Sequence, residues 1–242
     1  MAIELSSLKV KLFSDGADLK AMIEMASKSH IKGLTTNPTL MRKAGVKNYR
    51  QFAKEVLSEI KDKPISFEVF SDDLAEMKSQ ALEIASWAEN VYVKVPVTNS
   101  NGIPTTEVIS YLSSNNVKLN ITAILTSIQV KEVVSALNPS VSNYISVFAG
   151  RIADTGVDPI PMMKECLKLI EVNPVSELIW ASPRELLNIF QAHEIGCHII
   201  TATSDILGKL DLIGKDLTNY SLDTVKMFRN DAVASGFNID NS

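Results

Sequence analysis

The chain lacks most of the features that ordinarily betray a function. Only two of its 242 residues are cysteine, Cys166 and Cys197, too few for a disulfide scaffold and ordinary for a reduced cytosolic protein. Both are expected to be core thiols. The three histidines, His30, His193 and His198, have no metal-ligand spacing with Cys, Asp or Glu, so they read as core or surface residues and no metal is expected. Glycine is sparse where a phosphate-cradling loop would need it: "GLTTNP" and "SNG" match neither a P-loop nor a dinucleotide fingerprint, and no organic cofactor is expected. No apolar run reaches the length of a membrane span. The stretch "MAIELSSLKVKLFSDG" has no long apolar segment behind a basic start, so no secretory signal is read and a soluble, cytoplasmic protein is expected. An excess of basic charge is also absent. With 24 Lys and Arg against 28 Asp and Glu the formal charge is −4, which gives no long-range attraction for nucleic acid or an anionic membrane; an anionic ligand has to be caught by a local site.

What the chain does have is rhythm. Short β-rich runs, "LKVKLFSD" (8–15), "KGLTTN" (32–37), "ISFEVF" (65–70), "VYVKVPV" (91–97), "VKLNIT" (117–122), "NYISVF" (143–148), "SELIWAS" (176–182) and "CHIITA" (197–202), alternate with amphipathic segments such as 17–29, 49–61 and 72–89. Strands alternating with helical patterns imply parallel βαβ units. Eight of them predict an α/β fold, a (β/α)8 barrel occupying residues 1–242 as a single domain, with 222–237 as an extra C-terminal helix. A doubly wound open sheet is the alternative. The two faces of the runs favour the barrel: Val91, Val93, Val95 and Val97 alternate with Tyr92, Lys94 and Pro96, and Val117, Leu119 and Ile121 with Lys118, Asn120 and Thr122. An open parallel sheet is covered by helices on both faces and should read apolar on both. A barrel accounts for one face packed on helices and one turned to the lumen.

Polar residues collect near the C-terminal ends of seven successive runs: Asp15, Asn37, Glu68, Lys94, Asn120 with Thr122, Ser146 and Ser182. Closure would bring them to one rim, where barrel enzymes assemble their sites. Lys94 is the centre of the set. A lysine in a dry lumen keeps part of itself as free amine, because desolvation disfavours the ammonium, and a free amine attacks a carbonyl to form a Schiff base; the bland reading is an exposed edge-strand lysine. Asp15 and Glu68 are candidate acid/base groups, although "SDGAD" also suits a helix N-cap and Glu68 could be a solvated strand end. Arg151 and Arg184, in "SVFAGRIADTG" and "WASPRELL", would hold a phosphate beside Ser182 by charge-assisted bonds, or be ordinary solvated arginines.

These residues stand in stretches, "GLTTNPTL" (33–40), "VYVKVPVT" (91–98), "LNITAI" (119–124), "SVFAGRI" (146–152) and "WASPRE" (180–185), by which the chain resembles the transaldolase and fructose-6-phosphate aldolase family. The resemblance implies transfer of a dihydroxyacetone unit from a ketose phosphate, sedoheptulose 7-phosphate or fructose 6-phosphate, to an aldose phosphate in the pentose phosphate pathway. No cofactor is implied. Lys94 matches the Schiff-base lysine and Asp15 the acid/base for bond cleavage. Glu68 and Thr122 match the pair that positions the catalytic water, and Asn37, Asn120 and Ser146 the groups on the dihydroxyacetone hydroxyls. Arg151, Ser182 and Arg184 match the phosphate site. Glu68 and Phe148 resemble the transaldolase branch, since the aldolase branch tends to carry Gln and Tyr there. An aldolase using free dihydroxyacetone, a transaldolase for an unusual sugar and a silent sugar-phosphate sensor are the alternatives. Val147, Ala149 and Gly16 depart from the usual proline, valine and threonine without removing a matched group. Small members of the group resemble ring-like assemblies held by a C-terminal helix, so a homo-oligomer is expected.

Overall fold

Asp18, Asn37, Asn48, Asp73, Thr126 and Asp216 each accept a hydrogen bond from the backbone N–H three residues on, and those caps mark where helices begin; each is worth about 1 kcal/mol. Asp15 is not a cap: Asp18 opens α1 (Leu19–Ser27) with Ala21 N at 2.9 Å. Asn37 opens α2 (Pro38–Lys43), with Pro38 in the first turn where its missing N–H costs nothing. The further helices are α3 (Tyr49–Glu59), α4 (Leu74–Ala85), α5 (Thr106–Ser114), α6 (Ser127–Ala136), α7 (Ala149–Asp154), α8 (Ile160–Ile170), α9 (Leu187–Glu194), α10 (Ser204–Leu207) and α11 (Leu217–Ala234). These elements come from a computed structural model that describes residues 5–239. The parts of the leader and domain readings that fall on 1–4 and 240–242 lie outside the described residues.

The eight strands are β1 (Lys11–Asp15), β2 (Ile31–Thr35), β3 (Ile65–Glu68), β4 (Val91–Pro96), β5 (Leu119–Ile124), β6 (Tyr144–Val147), β7 (Glu177–Trp180) and β8 (Ile199–Thr203). Neighbours pair in parallel in sequence order, and β8 returns to β1, with Lys11 opposite Ile199 and Asp15 opposite Thr203. The sheet is therefore a closed (β/α)8 barrel, and the open-sheet alternative falls. Closure leaves no edge strand.

Alternation along the strands sorts the side chains into two layers. Ile65, Phe67, Val91, Val93, Val95, Leu119, Ile121, Ile145, Val147, Leu178 and Ile200 are buried against the surrounding helices, each full burial contributing roughly 1.5–3 kcal/mol. The inner layer is not uniformly polar. Phe13, Tyr92, Tyr144, Ile179 and Ile199 form a separate buried cluster inside the barrel, with Tyr92 stacked on Tyr144 at 4.0 Å and Phe13 edge-on to Tyr144 at 5.6 Å. Gly33 faces this layer, and a Cβ there would lie 2.4 Å from the Phe13 ring. The aromatic layer is thus the floor on which the polar set stands.

The extra C-terminal helix begins five residues before the reading placed it, because Asp216 caps it through Asn219 N at 2.9 Å. No residue of α11 is buried, and Leu217, Leu222, Val225, Met227, Phe228 and Val233 all lie exposed. Among the described residues no helix is long and apolar enough to cross a membrane.

Candidate active site

Register does most of the positioning. Glu68, Lys94 and Asn120 are direct neighbours across β3, β4 and β5, and Pro96 faces Thr122 one pleat higher. Lys94 is only 6% exposed. Its Nζ donates to the Thr36 carbonyl at 2.9 Å and sits 3.3 Å from Glu68 Oε2. Lys94 therefore points into the lumen, and the edge-strand reading falls with the closed sheet.

Asp15, on β1, faces the same space. Thr35 Oγ1 donates to its Oδ1 at 2.8 Å, and Asn37 Nδ2 approaches Oδ2 at 3.3 Å. Burial pushes the Asp15 carboxyl above the usual carboxylate range, against the pull of the Lys94 ammonium and the Thr35 bond; the Glu68 charge pushes the same way as burial. Asn37 has its Oδ1 engaged at Leu40 N, 3.0 Å, so its amide N–H group is what remains for the cavity.

On the far side of Lys94, Asn120 Nδ2 donates to Ser66 Oγ at 2.9 Å and Ser146 Oγ donates to Asn120 Oδ1 at 2.7 Å, all buried. Thr122 Oγ1 is buried in the cavity wall without a protein partner. A buried hydroxyl left in this state is poised for a water or a ligand oxygen. Beyond Thr122 the strand bends: Ala123 has φ +63° and the pairing of β5 with β6 shifts between Ile121 and Ile124. Backbone strain of this kind persists where the surroundings impose it.

Arg151 and Arg184 stand together at the mouth. Arg151 lies over the Phe148 ring, 5.5 Å from its centroid, and Arg184 is held by both carboxylate oxygens of Asp154, with Nε to Oδ1 at 3.0 Å. Ser182 has φ +60°. Gly150 in α7 lets the two loops meet, since a Cβ there would fall 1.6 Å from the Ser182 carbonyl oxygen.

One cavity of about 500 Å³ is lined by Asp15, Asn37, Glu68, Lys94, Asn120 and Thr122 below and by Ser146, Phe148, Arg151, Ser182 and Arg184 toward the mouth. All the residues singled out in the sequence are brought to it. The sequence reading missed Thr35, Thr201 and Thr203, which also line the wall, together with Lys43 of α2. The lumen-facing threonines follow the same period of two as Asp15 and Glu68. Thr36 contributes only a carbonyl, which no side-chain pattern reveals. Of the remaining candidates, both cysteines are buried, their thiols pushed up by burial to about 11 for Cys166 and about 12 for Cys197. His193 Nδ1 accepts from Lys9 N at 3.1 Å and His198 Nδ1 from Leu178 N at 3.0 Å. Among the described residues no group of three or more His, Cys, Asp or Glu is placed to hold a metal ion.

The arrangement offers an amine, two carboxylates within its reach and a cationic mouth, which is a set for carbonyl chemistry on an anionic substrate. Comparison with known proteins agrees. The Transaldolase/Fructose-6-phosphate aldolase family matches residues 12–241. A probable transaldolase of Clostridium kluyveri is 32% identical over 199 residues, covering 82% of this chain and 88% of the relative. One of Thermoanaerobacter sp. is 30% identical over 218 residues, 90% of this chain and 95% of the relative. Another, of Streptococcus equi subsp. zooepidemicus, is 33% identical over 202 residues, 83% and 90% respectively. With its barrel, its buried lysine and a match over nearly its whole length, the chain belongs to the transaldolase/fructose-6-phosphate aldolase family.

Proposed function

We propose that the protein is a Schiff-base transaldolase that moves a dihydroxyacetone unit from a ketose phosphate, sedoheptulose 7-phosphate or fructose 6-phosphate, to an aldose phosphate. The single observation that carries this reading is Lys94 Nζ, buried in the lumen 3.3 Å from Glu68 Oε2 and sharing its cavity with Asp15 and two arginines. The amine of Lys94 attacks the ketose carbonyl. The resulting carbinolamine loses its hydroxyl as water, with Glu68 delivering the proton through a water steadied by the free Thr122 hydroxyl, and leaves an iminium on Lys94. Asp15 then takes the proton of the C4 hydroxyl, the C3–C4 bond breaks, and its electron pair is drawn into the iminium as an enamine. The aldose phosphate departs. The enamine adds to the aldehyde carbon of an acceptor, Asp15 returns the proton, and water releases the new ketose from Lys94. Asn37, Asn120 and Ser146 hold the dihydroxyacetone hydroxyls, and Arg151, Ser182 and Arg184 hold the phosphate.

Borohydride added with fructose 6-phosphate should fix a dihydroxyacetone adduct on Lys94. An intact-mass spectrum without that adduct, from folded protein under conditions where a Schiff-base aldolase control reacts, would sink the mechanism. Aldolase action on free dihydroxyacetone is separated from transfer by comparing turnover with and without an aldose phosphate acceptor, and Glu68 and Phe148 support transfer. The reading places the reaction in the pentose phosphate pathway and the protein in the cytoplasm, consistent with two unpaired thiols. A second copy of the chain is its proposed partner through the exposed apolar residues of α11. Light scattering after truncation at about Lys215, ahead of the Asp216 cap, checks this, an unchanged number of subunits excluding α11 as the contact.

A further inference from the structure

The Asp15 carboxylate is held by more than its immediate neighbour. Thr35 Oγ1 lies 2.8 Å from Asp15 Oδ1 and 2.6 Å from Thr201 Oγ1. The strand order puts β1 between β2 and β8, so the chain of three ties three adjacent strands together on the lumen side. Thr35 is 3% exposed and Thr201 6%. A hydroxyl has one proton. With Asp15 ionised, Thr35 spends its proton on Oδ1, so the contact with Thr201 can be a hydrogen bond only if Thr201 donates to Thr35. Hydrogen bonds in a chain polarise one another.

We propose that Thr201 is a positioning residue for the acid/base step: acting through Thr35, it fixes Oδ1 of Asp15 and leaves Oδ2, met among the described residues by the long contact from Asn37 alone, to face the substrate. This deepens the transaldolase reading and rests on Asp15 moving the proton. The chain explains how one carboxylate beside a second carboxylate and an amine keeps a single orientation. The charged groups facing Asp15 are Lys94 of β4 and Glu68 of β3. Lys43, Arg151 and Arg184 line the same cavity, and Asp18 and Asp205 line an adjoining one that Asp15 also borders.

The test titrates the Asp15 carboxyl carbon by NMR in the wild type and in T35V, T201V, T201S and the T35V/T201V pair. Losing a donor to a carboxylate raises its titration point. T35V should move it up by about one pH unit, T201V by a few tenths of a unit, T201S should return it to the wild-type position, and the double variant should shift no further than T35V alone. The acid limb of kcat/KM should move in the same order. A T201V titration at the wild-type position, or shifts for T35V and T201V that simply add, overturns the proposal, as does lowered activity with an unmoved acid limb. The structure of the borohydride-trapped dihydroxyacetone adduct should have Oδ2 nearest C3, the carbon from which C4 departs, and Oδ1 found there would also overturn it. The NMR readout needs no turnover, so the two readings fail separately. A wild type that forms no adduct defeats the Schiff-base reaction, and an adduct-forming T201V with an unshifted Asp15 defeats the chain.

Discussion

Gly150→Ala is the sharpest probe of the mouth. A Cβ at this position would lie 1.6 Å from the Ser182 carbonyl oxygen, 2.7 Å from its carbonyl carbon and 3.3 Å from Arg184 Nε. Non-bonded carbon and oxygen settle at ~3 Å or more, so one backbone has to withdraw by roughly 1.4 Å. Ser182 is poorly able to absorb this by rotation. It is already at φ +60°, and the proline that follows restricts it further. The loop after β7 therefore has to move as a unit, carrying Ser182 and Arg184 away from Arg151. A misplacement of about 1 Å in a positioning group costs on the order of 100-fold. With fructose 6-phosphate we expect kcat/KM to fall about that much, mostly through KM. Lys94 stands across the lumen on β4, so borohydride trapping of phosphate-free dihydroxyacetone should proceed as in the wild type. The added methyl should also cost about 1–3 kcal/mol of stability by overpacking, read from a urea midpoint so that a loss of binding is not mistaken for unfolding. A folded variant with unchanged KM would refute both the close-approach reasoning and the placement of the phosphate.

Asn120→Leu strips a partner from two buried hydroxyls, Ser66 and Ser146, at about 1–3 kcal/mol each; the urea midpoint should report a loss of roughly 2–6 kcal/mol, and one below about 1 kcal/mol would show that the three do not act as a network. Asp154→Asn unpins Arg184, but the pair is half exposed and worth at most ~1 kcal/mol. KM for a phosphorylated substrate should accordingly rise no more than about 5-fold, and a larger rise would give Asp154 a role beyond holding its partner. His198 accepts from Leu178 N in its neutral form, and burial holds its titration below the usual imidazole range. Its contribution to stability is present above the unfolded value near 6.5 and is lost as pH falls below that toward the lowered folded value. Urea midpoints from pH 8 to 5 should show that decline, and the decline should be reduced in His198→Ala.

The barrel was legible because period-two alternation carried two kinds of information at once, the existence of each strand and the side facing the lumen; the direction of Lys94 follows from the second. Glu68, Asn120 and Ser146 were readable for the same reason, being polar residues set among apolar ones. Thr35 and Thr201 were not. Threonine is an ordinary strand former, and nothing in one sequence separates a threonine that packs from one that holds a carboxylate. The floor escaped notice because Phe13, Ile179 and Ile199 read as core on either face. The start of α11 was misread because the helix has no buried stripe, so periodicity gave no purchase and the cap at Asp216 was the one usable signal. Contacts made by backbone alone, such as the Thr36 carbonyl on Lys94, leave no trace in residue identity.

The aromatic floor has a kinetic corollary. With Phe13, Tyr92 and Tyr144 filling the lower lumen, traffic to Lys94 runs through the upper mouth alone, past Arg151 and Arg184. In a transfer reaction the departing aldose and the incoming one then use a single doorway and the same cations, and neither can enter while the other is in residence. Initial-rate plots at several fixed acceptor concentrations should be parallel lines, and the first product should inhibit in competition with the acceptor.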